Sequence, residues 1–315
     1  MGVFHPELSR GRFIPPFSFG PVVTRLLRRP TPKPVDPWPD VVVDELEVPG
    51  PPGAPPVSLR VFRPSRPSAS AAPALLWIHG GGMIGGSPVQ DDRTNIAFVR
   101  DLGIVVAAVR YRLAPESPAP AAVEDVYAGL LGLTAMADEL GIDPERIAIG
   151  GASAGGGLAA ALALVAHDRG AVRPVFQLLV YPMLDDRTVV RTDLDTRNVR
   201  VWTPKSNRYG WTSYLGREPG GADVSPYAAP ARREDLTGLP PAWIGVGTLD
   251  LFHDEDVDYA RRLEAAGVPC QLEIVPGAFH GFDGFFSTTG VSRDFWRAQA
   301  DALRAALLSA DPYAP

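Results

Sequence analysis

Ser153 has the sequence surroundings of a nucleophilic serine. It lies in the pentapeptide G-A-S-A-G at residues 151–155, between a strand-like run at 146–149 and an alanine-rich helical run. The pattern G-x-S-x-G in that context puts a serine hydroxyl on a turn so tight that glycine is needed on either side. The helix start also offers free N–H groups and a positive dipole end to a developing negative charge. The chemistry indicated is acyl transfer; the alternative is a glycine-rich helix start in which the serine is incidental.

A nucleophilic serine needs a base, and the order of residues favours His280. There are five histidines, and those before Ser153 come too early if the order is serine, acid, histidine. His167 lies near the far end of the helix that the serine begins. His280 follows the last strand-like run, where a loop reaches the carboxyl edge of a parallel sheet. His253, beside an acidic helix start, remains the alternative base.

The acid that orients the base is predicted to be Asp250. It follows the strand-like run 242–246, in the tetrapeptide G-T-L-D at residues 247–250. Asp254 and Asp256 are alternatives, but their positions suit the N-cap and first turn of a helix, where carboxylates complement the dipole. The expected role of Asp250 is to hold the imidazole in the right tautomer and to stabilise the imidazolium.

A glycine-rich loop, H-G-G-G at residues 79–82, follows the strand-like run 74–78. Attack on an ester puts negative charge on the carbonyl oxygen, and each backbone N–H aimed at that oxygen lowers the barrier by roughly 3–4 kcal/mol. Side chains here would block the approach, so glycine is chemically sensible. We expect the oxyanion donors to be Gly81, Gly82 and Ala154, the last being the residue after the nucleophile.

The same loop also fits a dinucleotide-binding pattern, since residues 80–85 read G-G-G-M-I-G. That pattern requires an acidic residue at the end of the next strand, and the next strand-like run ends in Arg110 instead. We therefore predict no cofactor, and expect His79 to orient the loop through hydrogen bonds. The histidines show no metal-ligand spacing and Cys270 is the only cysteine, so no metal site is predicted.

Alternating strand-like and helical runs must position these residues. Continuous apolar runs are typical of strands that are covered on both faces. The strand-like runs are 74–78, 104–110, 146–149, 175–181, 242–246 and 270–275, and the helical runs are 122–140, 153–167, 254–266 and 294–308. Two β-like runs, 41–48 and 57–62, come before them. This alternation predicts an α/β fold with a mostly parallel central sheet and helices on both faces.

Composition narrows the class of protein. The 315 residues are 45% hydrophobic with a formal net charge of −6, without the basic excess that a nucleic-acid footprint requires. No apolar run reaches the roughly 18 residues of a membrane span, and prolines occupy the place of a secretory h-region. We expect a cytoplasmic protein with no nucleic-acid partner and no membrane insertion, with a homodimer as one option. Cys270 is expected to be a buried, inert thiol.

These motifs together resemble the hormone-sensitive-lipase-like branch of the α/β-hydrolases, also called bacterial family IV esterases, over roughly residues 40–310. The segments that carry the resemblance are H-G-G-G at 79–82, Y-R-L-A-P-E at 111–116, G-A-S-A-G-G at 151–156, Y-P-M-L-D-D at 181–186, S-P-Y at 225–227 and H-G-F at 280–282. The chain departs from the branch at Ala152, where aspartate is usual, and at Leu251, where proline is usual. Neither position carries the chemistry.

The resemblance implies a serine carboxylesterase that acts on short- to medium-chain acyl esters of small molecules. It also implies a cap over the site, formed by an N-terminal arm (1–40) and by residues 185–220 of a catalytic domain (41–315); the residues alone leave open a helical arm, a lid or a tail. The candidate substrate contacts are large apolar side chains, each of which could equally be a packing residue: Met83, Trp202, Trp211, Phe282 and Phe285. Another acyl group (amide, carbamate or acetylated small molecule) and a non-catalytic receptor on this scaffold stay open.

Overall fold

One eight-stranded sheet organises the part of the chain that the computed structural model describes, which is residues 3–15, 18–28, 33–36, 38–66 and 70–308. The strands are β1 (Val41–Val48), β2 (Val57–Pro64), β3 (Ala72–Ile78), β4 (Val105–Arg110), β5 (Ile142–Ala152), β6 (Phe176–Val180), β7 (Ala242–Gly247) and β8 (Cys270–Val275). They lie in the order β1-β2-β4-β3-β5-β6-β7-β8. β2 pairs antiparallel with β1 and β4, and every other pair is parallel. The predicted α/β fold is confirmed.

Helices cover both faces of this sheet. Within the described ranges they are α1 (Pro21–Leu27), α2 (Asp92–Leu102), α3 (Ala121–Ala135), α4 (Ala137–Leu140), α5 (Ala154–Arg169), α6 (Pro204–Leu215), α7 (His253–Ala265), α8 (Phe282–Phe285) and α9 (Gly290–Leu308). Successive strand residues point to opposite faces: Leu76 and Ile78 pack in the core layer of α3 and α5, whereas Leu75 and Trp77 pack in the layer of α2 and α9. None of these helices is both long and apolar enough to cross a bilayer.

Three element predictions are corrected. The single helix expected at 122–140 is two, α3 and α4, separated at Met136. The sequence predicts a strand covered on both faces at 270–275, but Val275 is the one buried residue of β8, which among the described strands lies at the sheet edge and pairs with β7 alone. The helices α2 and α6 were not predicted, although Ile96, Val99 and Leu102 in α2 carry the spacing of a buried helical stripe.

The N-terminal arm is partly helical and packs against the rest of the chain. A 3₁₀ helix at Pro6–Phe13 buries Leu8 completely, and α1 follows it. The amide of Phe19 donates to Ser206 Oγ (2.9 Å), which joins the arm to α6. Residues 1, 2, 16, 17, 29–32 and 37 of the predicted arm lie outside the described residues.

Candidate active site

The nucleophile turn leaves no room for side chains around Ser153. Its backbone has φ +58° and ψ −122°, a conformation that costs a non-glycine residue about 1–3 kcal/mol. A Cβ at Gly151 would overlap the backbone of Gly155, and a Cβ at Gly155 would overlap the carbonyl of Ile78. The amide of Ser153 donates to the carbonyl of Val180 (2.9 Å), which ties the turn to β6. The strained turn therefore holds the hydroxyl at the carboxyl edge of the sheet.

Two hydrogen bonds join the three side chains that the sequence singles out. Ser153 Oγ lies 2.8 Å from His280 Nε2, and His280 Nδ1 lies 2.8 Å from Asp250 Oδ2. The other carboxylate oxygen, Asp250 Oδ1, accepts from the amide of Phe252 (3.0 Å). All three side chains are buried. The structure thus brings together a hydroxyl, an imidazole and a carboxylate that are far apart in the sequence.

The alternative base and acid pair with each other instead. His253 Nδ1 lies 2.9 Å from Asp254 Oδ1, and Asp254 also forms an ion pair with Arg191 (2.9 Å). The N-cap of α7 is Phe252, so the expected N-cap role is wrong, whereas the expected first-turn placement is confirmed, since Asp254 and Asp256 both lie in the first turn.

Asp256 is a fully buried carboxyl, and neither of its oxygens has a hydrogen-bond partner among the described residues. Burial, together with the nearby carboxylates of Glu255 and Asp250, raises the pKa of Asp256 well above its usual range. The folded protein therefore binds this proton more tightly than the unfolded chain, whose Asp titrates near pH 3.9. Stability contributed by this proton is lost as the pH rises above about 4.

We predict that Asp256→Asn will raise the free energy of unfolding by about 1–3 kcal/mol at pH 8. The substitution removes a buried carboxyl that at this pH costs free energy either as a buried charge or by staying protonated far above the pKa of an unfolded Asp. The gain will shrink as the pH falls towards 5. Urea denaturation at both pH values measures it, with the exposed Asp258→Asn on the same helix as control. A loss of stability at pH 8, or a gain that does not change with pH, contradicts this interpretation.

The glycine loop after β3 is kept open by its backbone conformation. Gly81 and Gly82 have φ of +123° and +60°, which favour glycine. A Cβ at Gly82 would overlap the ring of Trp202. Among the described residues, no acceptor takes a hydrogen bond from the N–H groups of Gly81 or Gly82. Those two groups, with the N–H of Ala154 at the start of α5, are the three donors predicted from the sequence.

His79 is a buried, neutral support for this loop. Its Nδ1 lies 2.8 Å from the carbonyl of Gly80, and its ring stacks on Tyr111 with centroids 4.2 Å apart. Tyr111 in turn donates its hydroxyl to the carbonyl of His79 (2.9 Å). Burial lowers the pKa of His79 to about 4, so the ring is uncharged at neutral pH. These contacts match the loop-orienting role that the sequence predicts.

We predict that Gly82→Ala will lower kcat for ester hydrolysis by about 10²–10³-fold, the effect of losing one oxyanion donor. The new methyl group displaces either the loop or the ring of Trp202. The control is Gly221→Ala, on the exposed surface, where the nearest atom to an added Cβ is Asp223 Oδ1 at 3.4 Å. Steady-state kinetics with a nitrophenyl ester measure both variants, and an unchanged kcat in Gly82→Ala removes this residue from the oxyanion site.

A cavity of about 550 Å³ opens onto Ser153 and His280, within the usual size range of small-molecule sites. Its walls come from the glycine loop, the N-terminal arm, and the ends of β4, β5 and β6. Besides these two side chains it is lined by Phe19, Thr24, Arg28, Gly80, Gly81, Gly82, Ile84, Gly85, Gly86, Ser87, Gln90, Asp91, Arg110, Leu113, Ala152, Tyr181, Val201, Trp202 and Gly281.

Of the five predicted substrate contacts, only Trp202 lines this cavity. Its indole Nε1 donates to Asn207 Oδ1 (3.1 Å), and its ring lies 5.5 Å from that of Phe19. Met83 and Trp211 do not line the cavity. Both side chains are buried in the α3 and α5 core layer, to which Trp202 also belongs.

The two phenylalanines are likewise corrections. Phe282 is fully buried in the opposite core layer, with its ring 5.0 Å from that of Phe295. Phe285, on α8, is 57% exposed and lies outside the cavity wall. Apolar side chains at these positions pack the core or face solvent.

Several cavity residues were not singled out from the sequence, above all those of the N-terminal arm. Arg28 fixes the end of α1 over the site: its Nε donates to the carbonyl of Ile84 (2.6 Å), and its Nη1 pairs with Glu116 (2.8 Å). The arm shows little periodicity, so no sequence signal identified these contacts. Tyr181 lies in the Y-P-M-L-D-D segment, which marked it for the resemblance only.

No group of three or more metal-ligating side chains occurs in the described ranges. Cys270 is only partly buried, whereas a buried thiol is expected from the sequence. Burial nevertheless raises the pKa of its thiol to about 12, so the thiol stays protonated and inert at neutral pH. A larger cavity, about 710 Å³, lies near Arg146 and His167 at the other edge of the sheet. It contains none of the reactive side chains, so size alone does not mark the site.

Comparison with known proteins identifies the family of this chain. A family profile described as alpha/beta hydrolase fold matches residues 75–284. The chain is 38% identical over 278 residues to the carboxylic ester hydrolase LipN of Mycobacterium tuberculosis. The aligned region covers 86% of this chain and 73% of LipN. The chain is 34% identical over 275 residues to the esterase LipI of the same species, covering 85% and 83%. The solved structure of a bacterial heroin esterase matches with a TM-score of 0.87 at 40% identity, covering 98% of this chain and 99% of that one.

Proposed function

The chain belongs to the α/β-hydrolase fold family, in its hormone-sensitive-lipase-like branch, and we propose that it is a serine carboxylic ester hydrolase. Relatives that are 34–40% identical to this chain over most of its length are named as esterases or ester hydrolases. The single observation that carries the proposed mechanism is the unbroken hydrogen-bond chain from Ser153 through His280 to Asp250, with both links at 2.8 Å.

The proposed reaction begins with attack of Ser153 Oγ on the carbonyl carbon of the ester. His280 Nε2 accepts the serine proton, which requires that Nδ1 carry the other ring proton and donate it to Asp250. The carbonyl oxygen becomes an oxyanion facing the N–H groups of Gly81, Gly82 and Ala154. His280 then gives its proton to the leaving alcohol, which departs and leaves an acyl-serine.

Water completes the cycle by the same route. His280 removes a proton from a water molecule as that water attacks the acyl-serine, and returns it to Ser153 Oγ when the carboxylic acid leaves. Asp250 stays ionised throughout and stabilises the imidazolium that forms twice per turnover. Both half-reactions use the same oxyanion donors.

We further propose that the substrates are small-molecule esters with short to medium acyl chains. The cavity of about 550 Å³ supports this, since it has the volume of a small-molecule site and Trp202 forms part of its wall. The N-terminal arm (1–40) and residues 185–220 are proposed as the cap over the catalytic domain (41–315). Support comes from the hydrogen bond between Phe19 and Ser206, which joins the two segments above the cavity.

The test is a series of nitrophenyl esters with acetyl, butyryl, octanoyl and palmitoyl groups, assayed beside the matching anilides. We expect kcat/KM to be highest for one of the first three esters and to fall steeply for palmitoyl, with the anilides far slower. Equal or faster cleavage of the anilides would point to an amidase. No cleavage of any ester by the folded chain would contradict the proposal.

A further inference from the structure

Two hydrogen bonds leave one motion of the catalytic imidazole weakly constrained. Contacts from Nε2 to Ser153 and from Nδ1 to Asp250 fix two points of the His280 ring. Rotation about the two side-chain bonds of His280 can still bend both hydrogen bonds, and the resulting tilt of the ring misdirects the proton that passes between serine and substrate. Loss of near-attack geometry by about 1 Å can cost about 10²-fold in rate.

Aromatic rings close on the imidazole from two different elements. The Tyr181 ring, after β6, lies 4.9 Å from the His280 ring at an interplanar angle of 65°. The Phe252 ring, before α7, lies 5.2 Å away at 89°. Both are edge contacts of the kind that aromatic pairs favour, and together they oppose the tilt that the hydrogen bonds permit.

Tyr181 is held in this place against a backbone cost. Its φ is +36°, in the region that favours glycine, and an outlier of this kind costs about 1–3 kcal/mol. The amide of Tyr181 donates to the carbonyl of Gly245 (2.7 Å), and its ring stacks on Phe295 at 6.2 Å. Its hydroxyl donates to Asp283 Oδ1 at 2.9 Å. These contacts fix the ring at both ends.

Asp283 belongs to the loop that carries the base. It follows His280 closely, in the first turn of α8, so its bond to Tyr181 fastens the histidine loop to the end of β6. Val180, next to Tyr181, accepts the amide hydrogen bond of Ser153 (2.9 Å). The loop of the base and the turn of the nucleophile are therefore both attached to the end of β6 by hydrogen bonds.

No cation in the described residues pairs with Asp283, and a second carboxyl stands nearby. Burial raises the pKa of Asp283. Burial also raises the pKa of Asp91 to about 7, and the negative charge of Asp283 adds to that rise. Asp91 is occupied with the indole N–H of Trp77 (2.8 Å). The tyrosine hydroxyl is therefore the one side-chain donor that Asp283 has in the described ranges.

We propose that Tyr181 and Asp283 form a positioning pair, in which the tyrosine ring holds the His280 imidazole upright and the Tyr181–Asp283 hydrogen bond holds the ring and the histidine loop together. The pair rests on the proposed function, because it acts through His280. It takes no proton from the substrate. Its contribution is to keep Nε2 aligned between Ser153 Oγ and the leaving group.

The test uses Tyr181→Phe, Asp283→Ala, which removes the acceptor of the tyrosine hydroxyl, and the double variant. Each single change should lower kcat by about ten-fold with KM within about two-fold, and the double variant should be no slower than the slower single, because both remove one shared bond. The control is Tyr227→Phe, which removes an equivalent tyrosine–carboxylate bond (Tyr227 hydroxyl to Asp168, 2.6 Å) far from the site. It should leave kcat unchanged.

A readout that needs no turnover separates this proposal from the proposed function. The Nδ1 proton between His280 and Asp250 gives a far-downfield ¹H NMR signal, which should broaden by faster exchange with water in both single variants and not in the control. An unaltered signal with unchanged kcat in both variants overturns the positioning pair. Multiplicative losses in the double variant also overturn it, since they assign the residues independent roles. A parent protein with no esterase activity that still shows the signal change refutes the function and leaves the pair standing.

Discussion

Replacing Ser153 by alanine will lower kcat for ester hydrolysis by about 10⁵-fold or more. The residual activity is what binding and oxyanion contacts supply without a nucleophile. The Oγ atom is the one that forms the covalent bond, and no other hydroxyl lies at 2.8 Å from His280 Nε2 in the described residues. The fold should be unaffected, because alanine occupies the same tight turn with a smaller side chain. Stopped assays with high enzyme concentration measure the residual rate.

The matched control is Ser292→Ala, which removes another buried serine hydroxyl, on α9 and away from the cavity. It should retain the parent kcat. A Ser153→Ala variant that keeps its thermal midpoint and more than about a tenth of the parent rate contradicts the assignment of the nucleophile.

Asp250→Asn will be the second-largest loss, about 10³–10⁴-fold in kcat, although the change is nearly isosteric. The carboxylate now receives two hydrogen bonds, from His280 Nδ1 (2.8 Å) and from the amide of Phe252 (3.0 Å). An amide can keep the bond from Phe252 with its oxygen, but its NH₂ group then faces Nδ1. The imidazole takes the opposite tautomer, so Nε2 carries a proton and can no longer accept one from serine.

The control for Asp250→Asn is Asp254→Asn, a few residues along the chain, where the carboxylate pairs with His253 and Arg191. We expect an effect on kcat of less than about three-fold, as for other partly exposed ion pairs. If the two variants lose activity to the same extent, the acid has been misassigned.

The three hydrogen-bonded residues were predictable because residue type and chain order restrict them strongly. One serine stands in a strand–turn–helix glycine pattern, and one histidine follows the last strand-like run. In parallel sheets the carboxyl ends of neighbouring strands meet at one edge, so loops after β5, β7 and β8 had to converge. Ser153, Asp250 and His280 lie together for that reason.

Cavity residues were much harder to predict, because core packing and ligand binding use the same side chains. Trp202 and Trp211 are both buried in the same core layer, yet of the two only Trp202 also lines the cavity. The Trp202 ring lies against Gly82 of the glycine loop, and composition carries no information on which ring takes that place. Tyr181 and Asp283 illustrate the same limit, since their contact joins residues 102 positions apart.

Predictions of strands and helices failed where the structure of a segment depends on the neighbouring elements rather than on its own sequence. The run 270–275 contains the polar residues Gln271 and Glu273, and in the described residues no strand pairs with its outer edge. Strand position within a sheet is a property of topology, and an apolar run has the same composition at the centre or the edge. The helix α6 was missed because its sequence mixes polar residues with the tryptophan and tyrosine that it buries.

Active-site labelling tests most directly whether Ser153 is a nucleophile activated by His280. The folded chain is treated with a fluorophosphonate, and mass spectrometry counts the adducts and locates them. We predict one adduct per chain, on Ser153, with labelling slowed at least about 10²-fold in His280→Ala. An adduct on a different residue, or labelling at the parent rate in Ser153→Ala, would contradict this prediction.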